Sequence, residues 1–254
     1  MKYIKTIYKG YFSKLLLYKK NKELILIKKF IKNKKSIKYE NISIGEIFER
    51  EIKGIKKLGS VKERDILTPN ILEINKKELW YSQKFIKLVN FNKYLIKNSN
   101  IFFTNKFFFN TIVSFGKYLK KLHEKTNRIH GDLNQNNLGF VNGKLFVYDP
   151  SYLKWQYDAN PYQDLARVVC NFYPYNLLCT LFISNKKKLI SNFLKGYGKV
   201  DVKKLKRTII SMLQQYNQLP MKNSKLYKLK FLYIKFWNKL IITLIKKNLI
   251  LDLK

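Results

Sequence analysis

The sequence predicts an α+β protein: a small antiparallel sheet with one helix first, then a mostly helical remainder. Three observations carry this. Before residue 85 the apolar runs have strand length and end on turn residues. From residue 110 onward most segments repeat their apolar residues at the helical interval. One hairpin signal interrupts the helical part: Asn142-Gly143 between Leu138-Gly139-Phe140-Val141 and Leu145-Phe146-Val147-Tyr148.

Residues 1–35 read as strands, with Leu15-Leu16-Leu17-Tyr18 and Glu23-Leu24-Ile25-Leu26-Ile27-Lys28 forming a hairpin across 19–22. A helix follows, because Ser43-Ile44-Gly45-Glu46 fits a capping box and Gly59 suits the exit. Ile44, Phe48, Ile55 and Leu58 make its apolar stripe, and Glu51 falls inside that stripe. A carboxylate there calls for a partner, since an unpaired buried charge is costly; exposure by a slight rotation of the helix is the alternative. Pro69 precedes a strand at Asn70-Ile71-Leu72-Glu73-Ile74, and Glu78-Leu79-Trp80-Tyr81-Ser82 follows across Asn75-Lys76-Lys77. Helical spacing runs from Asn110 or Thr111 to Asn127, with Ile112, Phe115, Leu119, Leu122 and His123 on one face. After residue 180 the chain reads as helical throughout. Leu226, Leu229, Leu232, Phe236, Leu240 and Leu244 share a stripe there, with Lys228, Lys235 and Lys239 elsewhere. That is either a basic amphipathic helix for a membrane surface or a helix packed on the core with solvated lysines.

Hydrophobic residues at 46% and aromatics at 15% of 254 residues exclude a disordered chain and allow a sizeable core. Lys and Arg total 52, five of them Arg, against 16 Asp and Glu, a net charge of +36. The Lys-, Asn- and Ile-rich mixture is what AT-rich coding imposes, so part of this charge carries no function. The same bias would enrich Glu, yet acids are few, so an anionic partner or membrane surface is expected. No recognised nucleic-acid module accompanies the charge, and no specific nucleic acid is expected. Cys170 and Cys179 lie among apolar residues and read as free thiols in a reducing compartment. Only His123 and His130 are present, which argues against a His-based metal site. The N-terminus lacks the apolar core of a signal peptide, and no run approaches the roughly 18 apolar residues of a membrane span. The chain therefore reads as cytoplasmic, or peripheral at the inner face of a membrane.

The chemistry gathers at Ile129-His130-Gly131-Asp132-Leu133-Asn134-Gln135-Asn136-Asn137 and the hairpin after it. A hairpin returns the chain to its start, which brings Asp149 beside Asn137. Two oxygen ligands, one a carboxylate, then sit where a hard cation could bind, with Asp132 close by. Metal plus carboxylate is what phosphoryl transfer needs: charge neutralisation, and a group to orient a hydroxyl and accept its proton. Six acids lie between residue 125 and the end, and Asp132, Asp149, Asp158 and Asp164 are four of them. The alternative is that they serve as turn and cap residues, places Asp favours anyway.

The pattern His-x-Asp-x4-Asn with a later Asp resembles the protein-kinase-like phosphotransferase superfamily. Gly131 after His130, Asp149-Pro150-Ser151, and Asn160-Pro161-Tyr162-Gln163-Asp164-Leu165-Ala166-Arg167 are similar to its small-molecule branch. That branch includes aminoglycoside and choline phosphotransferases, fructosamine kinases and lipopolysaccharide core-sugar kinases. The resemblance spans residues 20–200. It implies a two-lobed protein-kinase-like fold, with an N-lobe over 1–85 and a C-lobe over 86–254. It also implies ATP and Mg²⁺ as cofactors and γ-phosphate transfer to a small-molecule or glycan hydroxyl, such as a lipopolysaccharide core sugar. Asp132 takes the catalytic role by this resemblance, and Asn137 and Asp149 the metal. The nucleotide lysine is Lys28 or Lys29, which alternation puts on opposite faces; Lys28, directly after the apolar run, is favoured, braced by Glu51. His130 and Asp164 are structural supports, Asp164 accepting backbone amides of the catalytic loop or serving as a helix N-terminal acid. His123 is a packed residue of the preceding helix, and Gln83-Lys84-Phe85 is the link between lobes. Two departures stand out: Gly10 is isolated where protein kinases carry a Gly-rich loop, and Asn134 stands where peptide kinases often carry Lys. A protein Ser/Thr kinase and a catalytically idle kinase fold that acts as a binding module are the competing readings.

Overall fold

Alternating apolar residues and one left-handed Asn build the N-terminal sheet. In the computed structural model, which describes residues 1–10, 12–31, 42–98, 105–150, 160–173, 185–218 and 225–247, β1 (Lys2–Lys9), β2 (Ser13–Lys20) and β3 (Glu23–Phe30) run antiparallel. Asn21 turns β2 into β3 with φ 55°, a conformation its short side chain tolerates. The helix α1 (Ile44–Ser60) starts on Ser43, whose Oγ accepts the Glu46 N–H at 3.1 Å. Glu46 itself takes Arg50 at 2.7 Å. Phe48, Ile52 and Ile55 pack with Phe30 and Tyr81 of the sheet. Gly59 lies inside the last turn of α1, not beyond it, because the helix runs through Ser60 and closes on extended Val61.

After the two-residue β4 (Ile66–Leu67), β5 (Ile71–Asn75) and β6 (Trp80–Lys84) complete a sheet of order β1-β2-β3-β6-β5. β6 starts at Trp80 instead of Glu78, because Leu79 takes φ 52° and breaks the extended path. The strand then continues to Lys84, opposite Ile25, and the Phe85 N–H bonds Leu24 O at 2.9 Å. Gln83 and Lys84 are therefore strand residues, and the connection to the helical part begins after them.

The second part is helical around a small sheet of order β4-β9-β8-β7, with β7 (Val89–Asn90), β8 (Leu138–Val141) and β9 (Lys144–Val147). Asn142 and Gly143 both take positive φ, 49° and 76°, as a tight two-residue hairpin requires. β4 runs parallel to β9, so a strand from before residue 85 belongs to this second sheet. The helices are α2 (Phe91–Asn98), α3 (Lys106–Thr126), α4 (Tyr162–Asn171), α5 (Lys186–Tyr197), α6 (Val202–Gln218) and α7 (Lys225–Lys246). α3 starts at Lys106, earlier than Asn110 or Thr111, because the Asn105 side chain accepts the N–H groups of Phe107 and Phe108. It carries Ile112, Phe115, Leu119 and Leu122 into the main core.

α7 packs with a different stripe from the one its leucines suggest. Trp237, Ile241 and Ile245 are buried, whereas Leu232, Phe236 and Leu240 are exposed. The helix is apolar on two faces, and the one bearing the indole faces the core. Among the described residues no helix is long and apolar enough to cross a membrane. Ser151, Asp158, Cys179 and the side chains of Leu226 and Leu229 lie outside the described residues. Cys170 carries a free thiol that burial pushes up to about 12.

α3 and α5 approach so closely that only hydrogen fits at two positions. A Cβ on Gly116 would lie 2.1 Å from Phe193 O, and one on Gly196 would lie 1.9 Å from Val113 O. Gly116→Ala is expected to cost about 3 kcal/mol, the upper range for overpacking. Gly59→Ala, which meets nothing closer than Thr68 Oγ1 at 3.8 Å, should stabilise by about 0.5–1 kcal/mol. Urea unfolding of both variants checks the contrast.

Candidate active site

The loop from His130 to Asn137 is held from beneath by one buried carboxylate. Asp164, in the first turn of α4, accepts the backbone N–H groups of His130 at 2.7 Å and Gly131 at 2.9 Å. His123 Nε2 lies 3.1 Å from the same carboxylate and must donate to it, while Nδ1 meets the Tyr197 hydroxyl at 3.0 Å. Gly131 reaches this arrangement with φ 80°, a conformation natural to glycine. Burial alone would raise the Asp164 carboxyl, but the His123 bond, the two imidazoles and the amides outweigh it and hold it below the ordinary range. His123 is thus a strut between α3, α4 and α5.

His130 faces the other way. Its Nδ1 lies 3.3 Å from the Asp132 N–H, which can only donate, so the proton is on Nε2, 3.0 Å from Tyr148 O. Burial keeps this imidazole below its usual value despite the pull of Asp164, Asp132 and Asp149. Neutral His130 therefore pins the end of the hairpin to the loop. Tyr148 N–H to Asn137 O at 3.2 Å adds a second tie. Together they bring Asp149 back beside Asn137, whose Nδ2 reaches Asp132 Oδ2 at 3.0 Å, Asp132 O at 2.9 Å and Asp149 O at 3.5 Å. Asp149 takes φ 56°, a left-handed conformation that Asp, like Asn, adopts more readily than most residues, and its carboxylate reaches the N-terminal sheet.

There it meets Lys28. The Lys28 Nζ lies 2.6 Å from Asp149 Oδ1 and 2.8 Å from Glu51 Oε1. Tyr81, opposite Lys28 across the β3–β6 ladder, donates its hydroxyl to the same Glu51 oxygen at 2.7 Å. Burial lowers the affinity of Lys28 for its proton, but Asp149, Glu51 and Tyr81 together more than reverse this and hold it well above the usual lysine range. Burial pushes Glu51 up, with Asp149 adding to it and Lys28 opposing. Lys29 points to the opposite face and pairs with exposed Glu78 at 2.7 Å. Lys28, Tyr81 and Asp149 line a cleft of about 200 Å³ whose other walls are largely apolar, among them Leu15, Leu26, Phe85 and Phe146. Gln83 also faces this cleft, and its buried Oε1 has no hydrogen-bond partner.

Two contacts have no counterpart in the sequence reading. Arg167 Nη1 lies 3.4 Å from Asp132 Oδ1 and 3.2 Å from the Tyr216 hydroxyl, so a guanidinium sits directly on the loop carboxylate. Tyr81 is the other, the second donor to Glu51. For Arg167 there was a signal: it is one of five arginines among 52 basic residues and stands three positions after Asp164. Asn134 caps the single 3₁₀ turn Gln135–Asn137 through its own side chain, so it shapes the loop.

No family model matches the chain, and no curated protein matches it. Among solved structures, the kinase domain of Mycobacterium tuberculosis PknI is similar at 11% identity with a TM-score of 0.45, over 79% of this chain and 76% of that chain. A second structure of that domain gives 12% and 0.43, over 66% of this chain and 70% of that one. A point mutant of it gives 10% and 0.45 over the same shares. At these values the likeness carries no chemistry, which rests on the side chains above.

Asp164→Asn should lower stability by about 3 kcal/mol, because one amide or imidazole donor loses its acceptor in a dry site; the urea midpoint at pH 7 checks it. His130 supplies a pH dependence. Its folded-state value is depressed, so its contribution to stability is complete above the unfolded value of about 6.5 and is lost as pH falls toward the folded value. Unfolding midpoints measured from pH 7.5 down to 5 should fall, and His130→Gln should flatten that slope.

Proposed function

We propose that this chain is an ATP- and Mg²⁺-dependent phosphotransferase of the protein-kinase-like superfamily, with a hydroxyl acceptor that is most simply a sugar. The observation that carries the reading is one chain of contacts, Glu51–Lys28–Asp149 and then Asn137–Asp132, in which Lys28 and Asp149 line a cleft with apolar walls. The two-lobed division near residue 85 belongs to the same proposal.

The residues fit such a ligand. An amide and a carboxylate, Asn137 and Asp149, are hard oxygen donors suited to magnesium, which usually takes few protein ligands. When bound, the ion supplies charge neutralisation at the phosphates. Leu15, Leu26 and Phe146 suit a flat base. Lys28, kept charged by its two carboxylates, offers an ammonium to phosphate oxygens. Asp132 would orient the acceptor hydroxyl and take its proton, with its own carboxylate steadied by Asn137 and Arg167. Most of the rate would then come from positioning and electrostatics.

One feature favours the idle binding module as a second reading. The 2.6 Å contact between Lys28 and Asp149 engages the two groups with each other, where the phosphotransferase reading needs one for phosphate and the other for metal. A working site must open that pair.

Calorimetric titration with ATP, with and without Mg²⁺, followed by slow hydrolysis, is the test. Magnesium-dependent binding is expected, lost in Asp149→Ala. Asp132→Asn should retain binding while its turnover falls by about 10²–10⁴. Absence of binding at millimolar ATP would leave the idle module as the better account.

A further inference from the structure

The cleft under Lys28 is not the one cavity connected to the loop. A second one, of about 660 Å³, opens between α4 and α6. Arg167 belongs to its wall and touches Asp132, so the cavity reaches the loop carboxylate through that one side chain. α6 turns three faces to three environments. Leu205, Ile209 and Leu213 enter the core, and Lys203 lies on the exposed side. The adjoining face presents Arg207, Thr208, Ser211 and Gln215 to the cavity. From α4 come Gln163 and Arg167.

The chemistry of this wall is selective. None of its described side chains is acidic, and none is lysine. Its positive charge comes from two arginines, in a chain where five of 52 basic residues are Arg. Coding bias explains abundant lysine on any surface, but it does not explain two guanidinia facing one cavity. A guanidinium offers paired, planar donors that match carboxylate and phosphate oxygens. The remaining polar groups are hydroxyls and amides, which serve as both donors and acceptors and suit a molecule rich in hydroxyls. The volume is that of a small-molecule site.

We propose that this cavity is the acceptor site, and that the acceptor is a sugar already carrying an anionic group, a carboxylate or a phosphate, which Arg207 grips while Arg167 steers the reacting hydroxyl toward Asp132. The assignment deepens the phosphotransferase reading and rests on it for the word acceptor; the anion-selective sugar site stands on the cavity itself. The step adds nothing to the balance of that reaction: the acceptor oxygen forms a bond to the γ-phosphorus, the bond to the departing ADP oxygen breaks, and the hydroxyl proton passes to Asp132.

The test is titration of the purified full chain, at physiological salt, with glucose, glucuronate, glucose 6-phosphate and an acidic serine peptide. Glucuronate or glucose 6-phosphate should bind at least tenfold more tightly than glucose, and the tighter of the two identifies the anionic group. Arg207→Ala should remove at least tenfold of that affinity, and Arg207→Lys should restore only part of it. Arg64→Ala, which removes an equal charge at a site 89% exposed, should change nothing. Equal losses in Arg64→Ala and Arg207→Ala would reduce the effect to bulk charge and overturn the proposal. So would equal binding of glucose, no binding of any sugar, or a preference for the peptide that depends on Arg207. Parallel titration with Mg·ATP separates the two levels. Nucleotide binding without sugar binding removes the acceptor proposal and leaves the phosphotransferase. Sugar binding without nucleotide removes the phosphotransferase and leaves an anionic-sugar site.

Discussion

Asp164 is a carboxylate with no exposure to solvent, and the geometry of the loop hangs from it. Two consecutive backbone amides, at His130 and Gly131, point into it, and a histidine from the long central helix fills its remaining capacity. An ionised acid in a dry interior is tolerable only when its lone pairs are met by donors in good geometry. That requirement fixes the entry angle of the loop, and with it the direction in which Asp132 leaves. His130 then carries the same constraint onward to Tyr148 O, and so to Asp149. A carboxylate that lines no cleft thereby sets the relation between Asp132 and Asp149.

The distribution of charge follows a similar logic. The chain is short of acids, yet Glu51, Asp132, Asp149 and Asp164 lie in one connected set of bonds. Each has a cationic partner or a set of backbone and imidazole donors. Lysine ion pairs at the surface, such as Lys84 with Glu23 and Lys29 with Glu78, are by contrast exposed and contribute little. The net charge of the molecule and the electrostatics of its centre are nearly separate matters.

Much of the centre was legible because its signals are local. Asn142-Gly143 dictates a tight turn wherever it occurs, and a tight turn fixes which residues end up opposite one another. Ser43 and Asn21 act within three residues of themselves. What could not be read depends on register and distance in sequence. Tyr81 and Glu51 are 30 residues apart, and Arg167 and Asp132 are 35 apart. Their meeting requires the whole sheet or helix packing to be in place. The start of α3 was obscured by an abundance of Asn, in which the capping Asn105 looks like any other. The core face of α7 was hidden because two stripes share the helical period, and periodicity cannot say which of them meets a neighbour.

The far end of α1 has a consequence for control. Tyr118 of α3 donates to Leu58 O at 3.2 Å, Lys125 to Ser60 O at 3.0 Å and Lys57 to Thr126 O at 3.3 Å, and β4 joins β9 a few residues later. Glu51 sits two turns back along the same rigid rod. Swinging this helix outward, so that Glu51 left Lys28, would break all of these bonds and pull β4 from its sheet. The lysine–glutamate pair is therefore tied to the packing of α1 on α3 and of β4 on β9. Lys28 and Glu51 thus meet through contacts that lie far from either of them, at the other end of the helix.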